Sequence, residues 1–194
     1  MIPIQFPTNS IELSINLTDE QFFQLCQHNR DYQFERTASG ELIIKPPTGS
    51  ETSRRNADLT SQLRVWNHET KLGVVFDSSG GFTLPNGADR SPDASWVKKE
   101  RWDTLTPEQK DCFAPLCPDF VVELRSRTDS LKKLQEKMQE YIDNGARLGW
   151  LIDRQNGRVE IYRPGQDVEI IENPATLSGE DVLPGFVLNL EEIM

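Results

Sequence analysis

The sequence predicts an α/β protein, more narrowly an α+β one, in which a mixed β-sheet is flanked by helices. Three observations lead there. Helical and strand patterns follow one another as helix, several strands, helix, strands. Residues 120–125 make a strand of almost unbroken apolar character. The chain has 194 residues, 36% of them hydrophobic, enough to bury a sizeable core. A single domain over 1–194 is expected, with an N-terminal extension to about residue 47, a core over about 48–172 and a tail over about 173–194.

The elements follow in order. The first residues read as extended. Thr18-Asp-Glu-Gln21 is a capping-box pattern that opens a short helix carrying Phe22, Phe23 and Leu25. A hairpin comes next: Tyr32, Phe34 and Arg36 alternate with polar neighbours, Ser39-Gly40 turns, residues 41–45 return, and Pro46-Pro47 stops the strand. A longer helix is predicted over about 51–70 and is expected to end at Gly73. Strands are read at 74–76, at 82–84 and, after the Asn86-Gly87 turn, at 93–97. Residues 100–118 look like a surface excursion with a short helix starting at Thr106-Pro107-Glu108. After the strand at 120–125 comes a helix over 129–144, closed by Gly145. Strands at 148–153 and 158–163 flank an Asn156-Gly157 turn, and a last strand at 168–171 leads into the tail.

Composition narrows the function. The net charge of −10, from 31 acids and 21 bases, excludes a basic coat and leaves room only for a local basic patch in any nucleic-acid enzyme. No stretch approaches the roughly 18 apolar residues of a membrane span, and the N-terminus has no signal-peptide pattern, so no membrane partner and a cytoplasmic location are expected. Cys26, Cys112 and Cys117 are an odd set with only His28 and His68 beside them, which reads as buried or idle thiols rather than disulfides or zinc.

Two carboxylates stand out. Strand alternation puts Val121, Glu123 and Arg125 on one face of residues 120–125, with Phe120, Val122 and Leu124 on the other. A plain ion pair of Glu123 with Arg125 at a sheet edge would explain this equally well. Pro92-Asp93 starts a strand thirty residues earlier, which leaves room for the two to lie on adjacent strands. An isolated Pro-Asp is more often a turn cap. As a pair, however, carboxylates on strands about 5 Å apart can share one divalent ion, and magnesium takes such hard oxygen ligands. On the helix at 129–144, Leu131, Leu134, Met138, Tyr141 and Ile142 form an apolar stripe, and Lys137 lies at its margin. Such a lysine either snorkels to solvent or reaches over the packed face toward the sheet.

RSPDASWV at 90–97, CPDFVVELRSRTDSL at 117–131 and KMQEYIDNGARLGWLID at 137–153 resemble the Uma2 family, a restriction-endonuclease-like family within the PD-(D/E)xK nuclease group. PTGSETSRRN at 47–56, GRVEIYRPG from 157 and SGEDVLPGFVLNL from 178 extend the resemblance over nearly the whole chain. It implies a restriction-endonuclease-like core of helix–strand–strand–strand–helix–strand. It also implies an active site at one edge of the sheet, with Asp93 and Glu123 as metal-binding acids and the Leu124 carbonyl as a further ligand. Arg125 stands where the wider group has lysine. Arginine stays charged and cannot act as a base, so the resemblance assigns it orientation or phosphate contact and gives the lysine role to Lys137. Glu51 matches an additional acid on the first core helix, although Thr48-Gly-Ser-Glu51 is also a capping-box pattern.

The activity implied is hydrolysis of nucleic-acid phosphodiester bonds, DNA foremost, with Mg2+ or in its place Mn2+. A homodimer is expected only because homodimers are the commonest oligomers in general. The rival is a nuclease-fold protein that has lost catalysis and acts as a binding or regulatory module; the charge of −10 and Arg125 favour it, while Asp93, Glu123 and Lys137 favour catalysis. A structural assembly role would rest only on Trp66, Trp96, Trp102 and Trp150, which core packing explains at least as well.

Overall fold

A computed structural model describes residues 10–45 and 47–194. The extended start expected for the first nine residues, and Pro46 of the Pro46-Pro47 stop, lie outside the described residues.

The elements run β1 (Ile11–Ser14), α1 (Asp19–His28), β2 (Gln33–Arg36), β3 (Glu41–Lys45), α2 (Ser50–Thr70), β4 (Gly73–Asp77), β5 (Phe82–Thr83), β6 (Asp89–Arg90) and β7 (Ala94–Lys98). They continue with α3 (Lys99–Asp103), α4 (Pro107–Lys110), β8 (Phe120–Leu124), α5 (Leu131–Asp143), β9 (Leu148–Asp153), β10 (Arg158–Tyr162), β11 (Glu169–Glu172), β12 (Thr176–Ser178) and β13 (Val187–Asn189). The main sheet has the order β11-β10-β9-β8-β7-β4, and a second sheet has the order β1-β3-β2-β6-β5. In the main sheet only β8 and β9 pair in parallel, joined across the sheet by α5. The run α2–β4–β7–β8–α5–β9 is the helix–strand–strand–strand–helix–strand core, so the mixed sheet with flanking helices is present.

Alternation along β8 separates two packed layers. Phe120, Val122 and Leu124 meet Leu59, Leu63 and Trp66 of α2, whereas Val121 meets Met138, Tyr141 and Ile142 of α5. Thr18 caps α1 with the reciprocal capping box, and Ser130 caps α5. Gly145, at φ +108°, takes the chain out of α5 in a conformation that side chains disfavour.

Several local readings need correction. Thr48 does not cap α2: the N-cap is Gly49, with no side-chain hydrogen bond, and the Thr48–Glu51 capping box is not formed. Gly73 does not end α2 either. Lys71 does, in the left-handed conformation at φ 56°, while Gly73 begins β4. A Cβ at Gly73 would lie 2.3 Å from the Trp96 ring and from the Val97 carbonyl oxygen, so its glycine serves close approach rather than helix termination. Asn67 closes this junction: it donates to the Gly73 carbonyl at 2.9 Å and accepts from the Gly73 N–H at 3.1 Å and from Trp96 Nε1 at 2.8 Å.

The tail is not loose. Leu183, Phe186, Leu188, Leu190 and Ile193 are buried in the α2-side layer. Trp66 Nε1 donates to the Pro184 carbonyl at 3.0 Å, and the Phe186 ring lies 5.6 Å from Trp66 and 6.2 Å from Trp150. Of the cysteines, Cys117 is buried and its thiol is pushed up to about 12 by burial, whereas Cys112 is exposed. No described helix is long and apolar enough to cross a membrane.

Candidate active site

β7 and β8 are antiparallel neighbours with Ala94 opposite Val122, which places Asp93, the residue just before β7, beside Glu123. Pro92 fixes the approach to this position. The two carboxylates therefore flank the end of two central strands rather than an edge strand. Asp93 Oδ2 accepts the Leu124 N–H at 2.7 Å and Oδ1 accepts Asn56 Nδ2 at 3.1 Å. Glu123 Oε1 accepts Lys137 Nζ at 2.6 Å and the Tyr141 hydroxyl at 3.1 Å. Burial pushes both carboxyls above the usual carboxylate range; for Glu123 the nearby Lys137 opposes this and Asp93 adds to it.

Lys137 is buried and reaches this place from the flank of the α5 stripe. Its ammonium bridges two acids, Glu123 and Glu35, the latter at 2.8 Å. Glu35 comes from β2, in the second sheet, and collects further donors: Lys45 Nζ at 2.6 Å, the Ser91 N–H at 3.2 Å and an Arg90 guanidinium nitrogen at 3.3 Å. Arg90 also pairs with Glu140 at 2.6 Å. Burial would raise the Glu35 carboxyl, but Lys137, Lys45 and Arg90 together hold it far below the usual range. The Lys45 ammonium is raised, against its own desolvation, by Glu35 and then Glu123. Four carboxylates (Glu35, Asp93, Glu123, Glu140) thus share three cations (Lys45, Arg90, Lys137), and the cluster is one positive charge short of neutrality.

The other sequence-derived candidates lie as follows. The Arg125 guanidinium pairs with Asp153 at 2.9 Å rather than with Glu123, so the edge ion pair considered for strand 120–125 is not made. Leu124 presents its N–H to Asp93. Glu51 is exposed on the first turn of α2 and pairs with Arg55 at 2.6 Å and Arg54 at 3.1 Å. Among the described residues, no group of three or more His, Cys, Asp or Glu is placed to hold a metal ion. An ion here would rest on two carboxylates, which suits magnesium, since it keeps several waters and takes phosphate oxygens as ligands.

Sequence reasoning missed Glu35, Lys45 and Asn56. Glu35 had a faint signal as the acid between Phe34 and Arg36 in a hairpin strand. Tyr141 was read only as part of the apolar stripe, yet its hydroxyl meets Glu123.

The family model for Uma2, described as "Putative restriction endonuclease", matches residues 19–191. No curated protein matches the chain. Among solved structures, a "putative nuclease belonging to DUF820" from Anabaena variabilis is similar in fold, with a TM-score of 0.75 at 20% identity over 91% of this chain and 96% of that one.

Proposed function

The chain belongs to the Uma2 family, and from that premise we propose that it is a metal-dependent nuclease that hydrolyses phosphodiester bonds of DNA at Asp93 and Glu123. One observation carries the reading: a half-buried Asp93 and a buried Glu123 lie opposite each other at the end of β7 and β8, both above their usual range, with a lysine ammonium 2.6 Å from Glu123. Like charges kept this close, with one cation too few around them, favour a bound cation.

Asp93 and Glu123 would hold Mg2+, or Mn2+ in its place, with the Leu124 carbonyl as a third protein ligand. A divalent ion so held supplies Lewis-acid polarisation of a phosphate and lowers the pKa of bound water. The chain's own groups do the rest. Asn56 and the Leu124 N–H fix the rotamer of Asp93. Tyr141 and Lys137 orient Glu123, and Lys137 presents positive charge where a phosphorane would develop negative charge. Adding two positive charges to a cluster one short leaves it with a single positive charge, and a phosphodiester balances it. Arg125 sits one residue beyond the strand end, where it stiffens the loop by binding Asp153. Glu51 is left out of the ligand set, because its carboxylate is taken up by Arg54 and Arg55.

The test is paired. With magnesium, wild type should cleave single- or double-stranded DNA and melt at a higher temperature than without it, by ligand linkage. Asp93→Asn should lose both effects while melting, metal-free, at or above wild type. The fold tolerates the new amide: its oxygen can keep the Leu124 N–H, and Asn56, whose Oδ1 has no partner among the described residues, can turn to accept the amide N–H. Cleavage undiminished by Asp93→Asn would remove the assignment. A magnesium-dependent melting shift without any turnover would make the chain a metal-binding, non-catalytic member.

A further inference from the structure

A second charged cluster adjoins Asn56 on α2. Arg55 is buried, and its Nε has no hydrogen-bond partner among the described residues. Arg154, in the turn after β9, also has an unpartnered buried Nε, and none of its guanidinium nitrogens makes an ion pair or hydrogen bond among the described residues. The fold brings the two together. Leu124 and Ile152 lie on the α2 face of the sheet against Leu59 and Leu63. Arg154 follows Ile152 by two residues, and Arg55 precedes Leu59 by one turn, so both continue the same layer toward the same end. Arg54 adds a third guanidinium, tied to Glu192 at 3.1 Å.

Cations crowded in this way repel one another. Burial and then the neighbouring Arg55 both lower the Arg154 pKa, which is unusual for an arginine. Glu192 relieves only Arg54, whereas the Glu51 carboxylate sits on Arg55 and Arg54 and attracts Arg154. Glu51 is itself exposed, on the first turn of α2, so its carboxylate can be displaced from the arginines by a stronger anion without opening the core. An oxyanion from outside would find there fork-shaped donors and the positive end of the 21-residue α2. The next residue after Arg55, Asn56, holds Asp93.

We propose that Arg154, Arg55 and Arg54 form a binding site for a backbone phosphate of a nucleic-acid strand, flanking the phosphate at Asp93 and Glu123, and that Glu51 occupies this site in the free protein. This rests on the nuclease reading for its choice of ligand, but its test does not need turnover. It also gives an acidic chain a local place to grip a polyanion, and it makes Glu51 a stand-in for phosphate.

The experiment measures binding of a short fluorescein-labelled single-stranded oligodeoxynucleotide by anisotropy, in EDTA, over a range of salt. Arg154→Gln should weaken binding by on the order of tenfold and reduce the log–log salt slope by about 0.7, the loss of one phosphate contact to a single strand. Glu51→Gln should tighten binding, because it frees the arginines. Arg55→Lys, which keeps the charge but not the fork, should weaken binding with an unchanged melting temperature. Arg30→Gln, in the turn after α1, is the surface-charge control and should bind as wild type does. If Arg154→Gln matches wild type in affinity and slope, or if wild type binds no oligonucleotide at low salt, the site is refuted. Magnesium-dependent cleavage, measured beside it, separates the two ideas. Arg154-dependent binding without cleavage removes the nuclease reading and keeps the site, whereas cleavage indifferent to Arg154 does the reverse.

Discussion

Two buried acidic sites lie along α5, and they are built to opposite plans. Toward β10, Glu160 stands alone and is saturated: Gln135 Nε2 reaches both its oxygens at 2.9 and 3.0 Å, the Tyr162 hydroxyl donates at 2.8 Å and Arg158 pairs at 2.9 Å. Toward β7, Glu123 and Asp93 adjoin each other, and their principal cation, Lys137, is shared with Glu35. The first arrangement is what a structural buried acid requires, with every lone pair met by a donor. The second leaves charge uncompensated around a buried Glu123, which folding alone would not favour. Same sheet face, same helix, same kind of acid: what differs is whether the fold supplies the counter-charge or leaves it to come from outside.

Breaking the contrast at its strongest point should have the largest effect. Glu35→Leu takes the ion pair from Lys45 and one of two acidic partners from Lys137 and from Arg90, and we expect a loss of about 3 kcal/mol or more in chemical denaturation. Arg90 keeps Glu140 and Lys137 keeps Glu123, so a loss well below 1 kcal/mol would mean that the hairpin carboxylate is dispensable. Glu160→Gln tests the other site. It should cost about 1–3 kcal/mol, the cost of a degraded buried hydrogen-bond set, and leave the magnesium-induced melting shift as in wild type. A lost magnesium shift in that variant would dissolve the distinction between the two sites.

The smallest effect is in pH. The Asp93 and Glu123 carboxyls are raised, so the stabilisation they contribute is full below their ordinary range and is lost as pH rises through their raised values. Metal-free wild type should therefore fall behind Asp93→Asn as pH rises through that window. Conversely, the magnesium shift should fade, on acidification, at a higher pH than an exposed carboxylate pair near pH 4 would allow. Parallel melting curves for wild type and Asp93→Asn across pH 4 to 8, within the ordinary range of such scans, would contradict the raised values.

Much of this was legible in the sequence, for local reasons. Period-two alternation fixed the phase of Glu123 against Val121, and the helical stripe put Lys137 beside Met138 and Tyr141. Glu35 and Lys45 were not legible. They matter only because the second sheet packs its hairpin against the end of α5, and the Glu35–Lys137 contact spans 102 residues, a distance at which no local period survives. The N-terminal extension, bounded at about residue 47 and given no site residue, thus furnishes two of the charged groups. Gly73 misled for a similar reason: a glycine after a helix resembles a terminator until the Trp96 ring is known to lie against it. The tail was read only as a tail, because nothing local in LPGFVLNLEEIM says which layer its apolar residues enter, yet they cap the α2 layer.

That capping has an optical consequence. Trp66, Trp96 and Trp150, three of the chain's four tryptophans, gather in one layer, and Phe186 lies against the first and last of them. The fourth, Trp102, sits apart on the other side of the sheet, near Phe76 and under the Lys110 ammonium. When the C-terminal segment lifts, the indole of Trp66 loses its carbonyl partner at Pro184 and meets water. Intrinsic emission should redden before the sheet itself opens, so the chain carries its own dye for the seating of its last dozen residues.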